Sequence, residues 1–121
     1  MIVLVIDSSQ LFIERWQLML SEMNCVRVVY GAVSYKDAAR LLKKIKVDLV
    51  LIDADLQGDS SINLLTEIKA SAINTTVIIL TNKIADQAEK KYRAIGADFF
   101  FDKYHEFEKI PGAVKKIPMK K

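Results

Sequence analysis

The stretch DLVLID, residues 48–53, decides the fold: four consecutive aliphatic residues lie between two aspartates. A continuous apolar run of this length, without alternation, is typical of a strand in a parallel sheet, where both faces are covered. Similar runs occur at IVLVI, residues 2–6, and at VIIL, residues 77–80. We therefore predict a sheet whose central strands are buried on both faces, with Asp53 at the carboxyl end of the third strand.

Longer segments lie between these runs, and their apolar residues recur about every 3.6 positions, as in an amphipathic helix. Ser8 or Ser9 can cap the first helix. Ser34 begins the second, with Asp37 three residues later in a pattern that resembles a capping box. Two further strands are predicted at Val26–Tyr30, which Gly31 closes, and at Phe99–Phe101.

The later helices are predicted from the same spacing. The third carries Ile62, Leu64, Leu65 and Ile68, and the fourth runs from about Ala85 to Ile95. Gly96 then suits the position after a helix, where φ is often positive. Pro111 is expected at the first position of a short last helix, where its missing N–H costs little.

A strand–helix unit is thus repeated five times, which predicts a parallel five-stranded sheet with right-handed crossovers and helices on both faces. The 121 residues are 51% hydrophobic, enough for one doubly wound α/β domain that spans residues 1–121. Asp7 interrupts the first apolar run after six residues, too soon for a signal peptide or a membrane span. Cys25 has no partner for an internal disulfide. We expect a soluble, cytoplasmic protein with no membrane partner.

The formal charge is +3, and the lysines concentrate in two places. Lys43, Lys44 and Lys46 end a predicted helix, where the helix dipole favours cations. A basic tail contains Lys115, Lys116, Lys120 and Lys121. We interpret both as solvated surface and do not expect a nucleic-acid partner.

Ligands of open parallel sheets bind at the carboxyl ends of the strands. The polar residues predicted at those ends are Asp7, Ser8, Asp53, Asp55, Thr81, Asn82, Asp102 and Lys103. Two carboxylates and a backbone carbonyl suit Mg²⁺. A hydroxyl and an ammonium can bind phosphoryl oxygens, and a carboxylate can act as a nucleophile. Each residue alone could be a turn or cap residue, but their coincidence at four strand ends predicts one site.

Four segments resemble the receiver domain of two-component response regulators, namely LVIDS at residues 4–8, DLVLID at 48–53, VIILTN at 77–82 and GADFFFDK at 96–103. The resemblance covers essentially the whole chain. It implies a flavodoxin-like fold of the receiver type and a role in phosphorelay signalling. Asp53 would accept a phosphoryl group from a histidine kinase or a phosphotransfer protein. Asp7, Asp53 and the backbone carbonyl of Asp55 would hold Mg²⁺.

The resemblance also implies how the phosphoryl group is sensed. Thr81 would hydrogen-bond it, Lys103 would pair with it or with unmodified Asp53, and Phe100 would be the aromatic switch residue. Such a domain can lose its phosphoryl group by self-dephosphorylation, but it is not a turnover enzyme. It would signal to an unknown output protein through the fourth helix, fifth strand and fifth helix, roughly 85–117, and this face could also form a homodimer.

Three positions depart from the family pattern. Ser8 replaces the second of two adjacent acids, so Mg²⁺ is expected to bind more weakly unless the side chain of Asp55 compensates. Gln57 stands where proline is common. Tyr104 replaces the proline that often follows the lysine, and a cis peptide before a non-proline residue costs about 2.5–4 kcal/mol. A trans peptide and a shifted loop are expected there.

Several alternatives stay open at this point. Alternation places Phe99 and Phe101 on the face opposite Phe100, and all three can be core residues.

The departures favour a degenerate receiver that binds a partner without phosphorylation. The chain is either a stand-alone domain or the receiver part of a longer protein. The Asp53-Ala54-Asp55 pattern also occurs in haloacid-dehalogenase-like phosphatases, but usually after the first strand. A nucleotide-binding flavodoxin-like module would need a glycine-rich loop after the first strand, and none is present.

Overall fold

The computed structural model describes residues 1–72, 74–82 and 86–118. Five strands are formed, namely β1 (Ile2–Ile6), β2 (Val28–Ala32), β3 (Leu49–Asp53), β4 (Thr76–Thr81) and β5 (Phe99–Asp102). The α-helices are α1 (Gln10–Ser21), α2 (Tyr35–Lys44), α3 (Ser60–Ser71), α4 (Asp86–Ile95) and α5 (Ile110–Lys115), and a short 3₁₀ helix (Phe107–Lys109) precedes α5. Of the predicted positions, Ala85, Lys120 and Lys121 lie outside the described residues.

All strands pair in parallel, in the order β2-β1-β3-β4-β5. The predicted five-stranded α/β fold is therefore confirmed. Every residue of β3 is buried, as its uninterrupted apolar run predicts.

Each strand contributes to two cores because successive side chains point to opposite faces. In β1, Leu4 and Ile6 belong to the core under α2, α3 and α4, whereas Val3 and Val5 belong to the core under α1 and α5. Trp16 of α1 lies in the second core, is fully buried, and stacks on Phe107 with ring centroids 4.6 Å apart.

The predicted bounds of β2 were wrong by two residues. Val26 is buried but precedes the strand, whereas Gly31 lies inside it, opposite Val5. A Cβ atom on Gly31 would lie 2.4 Å from Cγ2 of Ile13. Glycine is therefore needed because α1 packs against the backbone of β2 at this point, and the residue does not end the strand.

The helix ends mostly agree with the sequence. Ser9, the second of the two predicted candidates, caps α1 by accepting a hydrogen bond from the N–H of Phe12 at 3.4 Å. Ser34 caps α2 by accepting from the N–H of Asp37 at 3.2 Å. Gly96 follows α4 with φ at 129°. Pro111 lies one position later than predicted, at the second residue of α5. In the described part of the chain, no helix is long and apolar enough to cross a membrane.

Candidate functional site

Four of the predicted site residues lie at the carboxyl ends of adjacent strands. Asp7 follows β1, Asp53 ends β3, Thr81 ends β4 and Lys103 follows β5. Their exposed fractions are only 2%, 3%, 4% and 6%. Burial of polar and charged side chains together at one edge is costly unless they satisfy one another, so the edge is a built polar site.

The ammonium group of Lys103 lies between the two buried carboxylates. Its Nζ atom is 2.6 Å from Oδ2 of Asp7 and 3.6 Å from Oδ2 of Asp53. The backbone N–H of Lys103 also donates to the carbonyl of Thr81 at 2.7 Å. The backbone of Lys103 is thus bound to β4, and its side chain reaches the ends of β1 and β3, closer to Asp7 than to Asp53.

Both aspartates divide their oxygens between the local turn and the site. Oδ1 of Asp7 accepts from the N–H of Ser9 at 2.8 Å, and Oδ1 of Asp53 accepts from the N–H of Asp55 at 2.9 Å. These are Asx turns, in which the carboxylate binds the backbone two residues on. The turn orients each carboxylate, and the Oδ2 atoms face Lys103. Each of these aspartates therefore serves both as a turn residue and as a site residue.

Burial raises the pKa of Asp53. The hydrogen bond from Asp55 opposes this shift, the neighbouring charge of Asp7 adds to it, and the ammonium of Lys103 opposes it again. A buried carboxyl whose pKa is shifted by several charged neighbours is a common property of functional sites.

Phe12 is a functional-site contact that the sequence did not predict. The ammonium of Lys103 lies 4.1 Å from the centroid of the Phe12 ring, within cation–π distance. Tyr104 packs edge-on against the same ring, with centroids 5.6 Å apart. The one sequence signal for this contact is the position of Phe12 in the first turn of α1, shortly after Asp7.

The two other positions predicted near the metal, Ser8 and Asp55, differ from these buried residues in exposure. Ser8 is exposed, and so is Asp55. Oδ2 of Asp55 accepts from the backbone N–H of Asn82 at 3.2 Å. The Asp55 side chain therefore joins the loops after β3 and β4, and its charge still raises the pKa of the neighbouring Asp53.

The residues predicted for switching lie in the core beneath this edge. Phe100 is 5% exposed and packs on Tyr92 of α4, with ring centroids 5.8 Å apart. Phe99 and Phe101 pack on the opposite face of the sheet, as predicted. Tyr92 lies within the predicted signalling face but is buried, and its burial raises the pKa of its hydroxyl.

Asp102 was predicted at the site edge, but its carboxylate turns into the following loop. Oδ1 accepts from the N–H groups of Tyr104 at 2.9 Å and His105 at 2.8 Å, and these bonds lower the pKa of Asp102. The described backbone contains no cis peptide, as the absence of proline at Tyr104 predicts. His105 is exposed, as expected of a surface residue, and its Nδ1 lies 3.1 Å from Asp102.

The carboxylate oxygens at this edge are suited to a hard divalent cation such as Mg²⁺. Oδ2 of Asp7 is buried, accepts no hydrogen bond, and has the ammonium of Lys103 as its neutralising neighbour. Two carboxylates around one cation are the usual protein contribution to Mg²⁺, which keeps several waters. No group of three or more metal-binding side chains occurs among the described residues, so the remaining ligands would be a backbone carbonyl and water.

Comparison with known proteins agrees with this geometry. The family model of the response regulator receiver domain matches residues 3–115. The Fimbriae Z protein of Salmonella typhimurium is 29% identical over 116 residues, which are 95% of this chain and 55% of that protein. The transcriptional regulatory protein MalR of Bacillus subtilis is 27% identical over 93% of this chain and 48% of its own length. The chain thus spans about half the length of the curated relatives it matches.

Solved structures share the whole fold. The signal receiver domain of an HD domain-containing protein from Pseudomonas fluorescens Pf-5 superposes with a TM-score of 0.86 at 25% identity, over 96% of this chain and 92% of that one. The receiver domain of a DNA binding response regulator from Colwellia psychrerythraea has the same TM-score at 24% identity, over 95% of both chains, and shows likeness of fold. With its parallel sheet, its edge of buried aspartates and lysine, and a family match over nearly its full length, the chain belongs to the response regulator receiver domains of two-component signalling.

Proposed function

We propose that this receiver accepts a phosphoryl group on Asp53 from the phosphohistidine of a histidine kinase or a phosphotransfer protein. The observation that carries the proposal is the ammonium of Lys103 between two buried carboxylates, 2.6 Å from Asp7 and 3.6 Å from Asp53. A structural salt bridge needs one acid, whereas here a second buried acid lies beside the same cation, which supports a reactive role for Asp53.

The chemistry follows from the two oxygens of Asp53. Oδ1 is bound by the N–H of Asp55, so Oδ2 is the oxygen that can attack phosphorus while the bond from phosphorus to the histidine nitrogen breaks. Lys103 would then pair with the new phosphoryl oxygens. Bound Mg²⁺ would neutralise phosphoryl charge during transfer, held by Asp7, Asp53 and the Asp55 carbonyl.

The output would pass through the face formed by α4, β5 and α5. Phe100 of β5 and Tyr92 of α4 are in contact within this region, so a change near Thr81 can reach the surface through packed side chains. Lys90 and Lys91 are exposed on α4, whereas Arg93 is paired with Glu89 at 2.8 Å. A partner with an acidic patch, or a second copy with complementary charges, would fit this face.

Phosphorylation by a small-molecule donor tests the proposal. The chain is incubated with acetyl phosphate and Mg²⁺, and intact mass should show one added phosphoryl group. Asp53→Asn should abolish the addition. Asp59→Asn is the matched control, since Asp59 is an exposed acid in the loop after the same strand, and it should leave the addition unchanged. A wild-type protein that is folded and gains no phosphate contradicts the proposal.

One observation favours a second candidate, a receiver that binds its partner without phosphorylation. Lys103 already neutralises Asp7, Ser8 supplies no acid, and the Asp55 side chain is bound to the backbone of Asn82. The ammonium group of Lys103 would then take the place of Mg²⁺. In that case the mass experiment shows no phosphate on the wild type, while Ser8→Asp restores it.

A further inference from the structure

A groove of about 1100 Å³ lies at the end of the sheet opposite Asp53. It is formed by the second half of α2, the end of α3 and the residues that precede β3 and β4. Val47 and Asp48 line it, and the five residues of β3 separate them from the site, roughly 15 Å at the rise of a strand. The groove is therefore independent of the phosphoacceptor chemistry.

The floor of the groove is apolar. Val47 and Ile68 are buried there, and Leu42 and Ile45 are half-buried. Of the residues in α2, only Ala38 is fully buried. Leu42 and Ile45 pack partly against the core and leave the rest of their apolar surface in the groove, a concave space larger than the roughly 300–1000 Å³ of most small-molecule sites.

The rim of the groove is strongly basic. Residues 35–46 contain five cations and one acid, a net charge of +4, whereas the whole chain carries +3 and the remainder is therefore −1. Lys43, Lys44 and Lys46 line the groove and are exposed, and within the described residues none of them forms an ion pair.

The two acids of the groove are hydrogen-bonded to groups other than these lysines. Oδ2 of Asp48 accepts from the backbone N–H of Ile2 at 2.7 Å, and Glu67 accepts from the hydroxyl of Tyr35 across the space between α2 and α3. Both donors are neutral, so the acids keep their charge and the charged side chains that line the groove sum to +1. Neither acid forms an ion pair with Lys43, Lys44 or Lys46 within the described residues, and the three ammonium groups remain available to an incoming anion.

We propose that this groove binds an acidic amphipathic helix of a partner protein. Such a helix would place leucine-like side chains on the floor, as helices do in apolar grooves, and glutamates or aspartates against Lys43, Lys44 and Lys46. A bilayer surface does not enter a concavity between two helices. Nucleic acid gains nothing from an aliphatic floor, since its bases stack on aromatic rings.

The probe is a fluorescein-labelled synthetic helix of about five turns, with leucines on one face and glutamates on the other. It is titrated with the whole chain, and anisotropy should saturate. Reversing the rim with Lys43→Glu, Lys44→Glu and Lys46→Glu should weaken binding at least about ten-fold. The control reverses two exposed arginines, Arg15 and Arg27, which lie outside both the groove and the face formed by α4, β5 and α5, and should change binding less than about two-fold.

The floor is tested separately from the rim. Leu42→Ser removes apolar surface without a change of charge and should weaken the same helix about five-fold or more, with circular dichroism confirming that the variant is folded. Asp53→Asn should bind as the wild type does, so loss of the phosphorelay function would leave this result standing.

Other outcomes overturn the proposal. Equal affinity for a polyglutamate peptide without leucines would show charge attraction alone. Binding of phosphatidylglycerol vesicles or a DNA duplex, lost on reversal of the rim while the helix does not bind, would assign the surface to lipid or nucleic acid. Concentration-dependent self-association in sedimentation that the reversal removes would make a second copy the occupant. No saturable binding of the helix would refute the groove as a helix site.

Discussion

Replacing Lys103 by methionine tests whether Asp7 and Asp53 form one shared cation site. The side chain keeps its length and loses its charge, which leaves two carboxylates buried at 2% and 3% exposure without their cation. Breaking a buried ion pair by removing one partner costs about 3–5 kcal/mol. We expect a loss near the lower limit in metal-free buffer, because Asp53, whose pKa burial already raises, can take up a proton.

Magnesium should return much of this loss. The ammonium lies 2.6 Å from Oδ2 of Asp7, so its removal also removes a competitor for that oxygen. A ligand that binds only the folded state adds about 2.7 kcal/mol at one hundred times its Kd. The unfolding free energy of Lys103→Met should therefore depend on Mg²⁺ more steeply than that of the wild type.

The assay is urea denaturation followed by the fluorescence of Trp16, the single tryptophan and a fully buried one. Each protein is measured in EDTA and in Mg²⁺. Lys69→Met is the matched control, because Lys69 is paired with Asp98 at 2.9 Å away from the site, and its stability should respond to Mg²⁺ only as that of the wild type does. The reasoning is refuted if Lys103→Met is as stable as the wild type in EDTA, or if Mg²⁺ stabilises Lys103→Met no more than it stabilises Lys69→Met.

Three further predictions concern the site edge, the α1 contact and the loop after β5. Ser8→Asp adds a carboxylate at an exposed position beside Asp7 and should tighten Mg²⁺ about ten-fold by calorimetry; unchanged affinity would exclude position 8 from the site. Gly31→Ala places a Cβ atom 2.4 Å from the side chain of Ile13 and should lower the free energy of unfolding by about 1–3 kcal/mol. Gly112→Ala in α5 meets nothing within 4 Å and should raise it by about 0.5–1 kcal/mol. Similar urea midpoints for the two variants would contradict this. The folded-state pKa of Asp102 is lowered by its loop hydrogen bonds, so its stabilisation is present above the unfolded pKa and lost as pH falls through the folded one. The destabilisation by Asp102→Asn should accordingly shrink below about pH 4, and a constant difference would argue against these bonds.

The sheet and the location of the site follow from sequence because both depend on local patterns. Apolar runs such as residues 48–53 specify buried parallel strands, and parallel strands bring their carboxyl ends to one edge. Asp53, Thr81 and Lys103 could therefore be assigned to a common edge without knowledge of any contact. The bounds of β2 could not, because the need for Gly31 arises from the packing of Ile13 in α1.

The direction of each side chain at the edge was beyond the sequence. Whether the Asp55 carboxylate meets Asp7 or the N–H of Asn82 depends on the relative position of two loops. The contact of Phe12 with Lys103 joins residues that are 91 positions apart and has no local signature. Only the assembled sheet shows that the ring of Phe12 lies beside the ammonium.

Ser8 has a different consequence once Lys103 is located. With two carboxylates and one ammonium, the edge carries one net negative charge, whereas a second acid after β1 would double it. Such an edge attracts a divalent cation weakly while Asp53 is unmodified, and phosphorylation would replace the single negative charge of that carboxylate with about 1.5–2 negative charges beside Lys103. Since binding linkage is reciprocal, metal and phosphoryl group should strengthen each other more here than in a receiver that keeps both acids. Ser8 would then make Mg²⁺ occupancy depend on phosphorylation, and a beryllofluoride phosphoryl mimic should tighten Mg²⁺ more in the wild type than in Ser8→Asp.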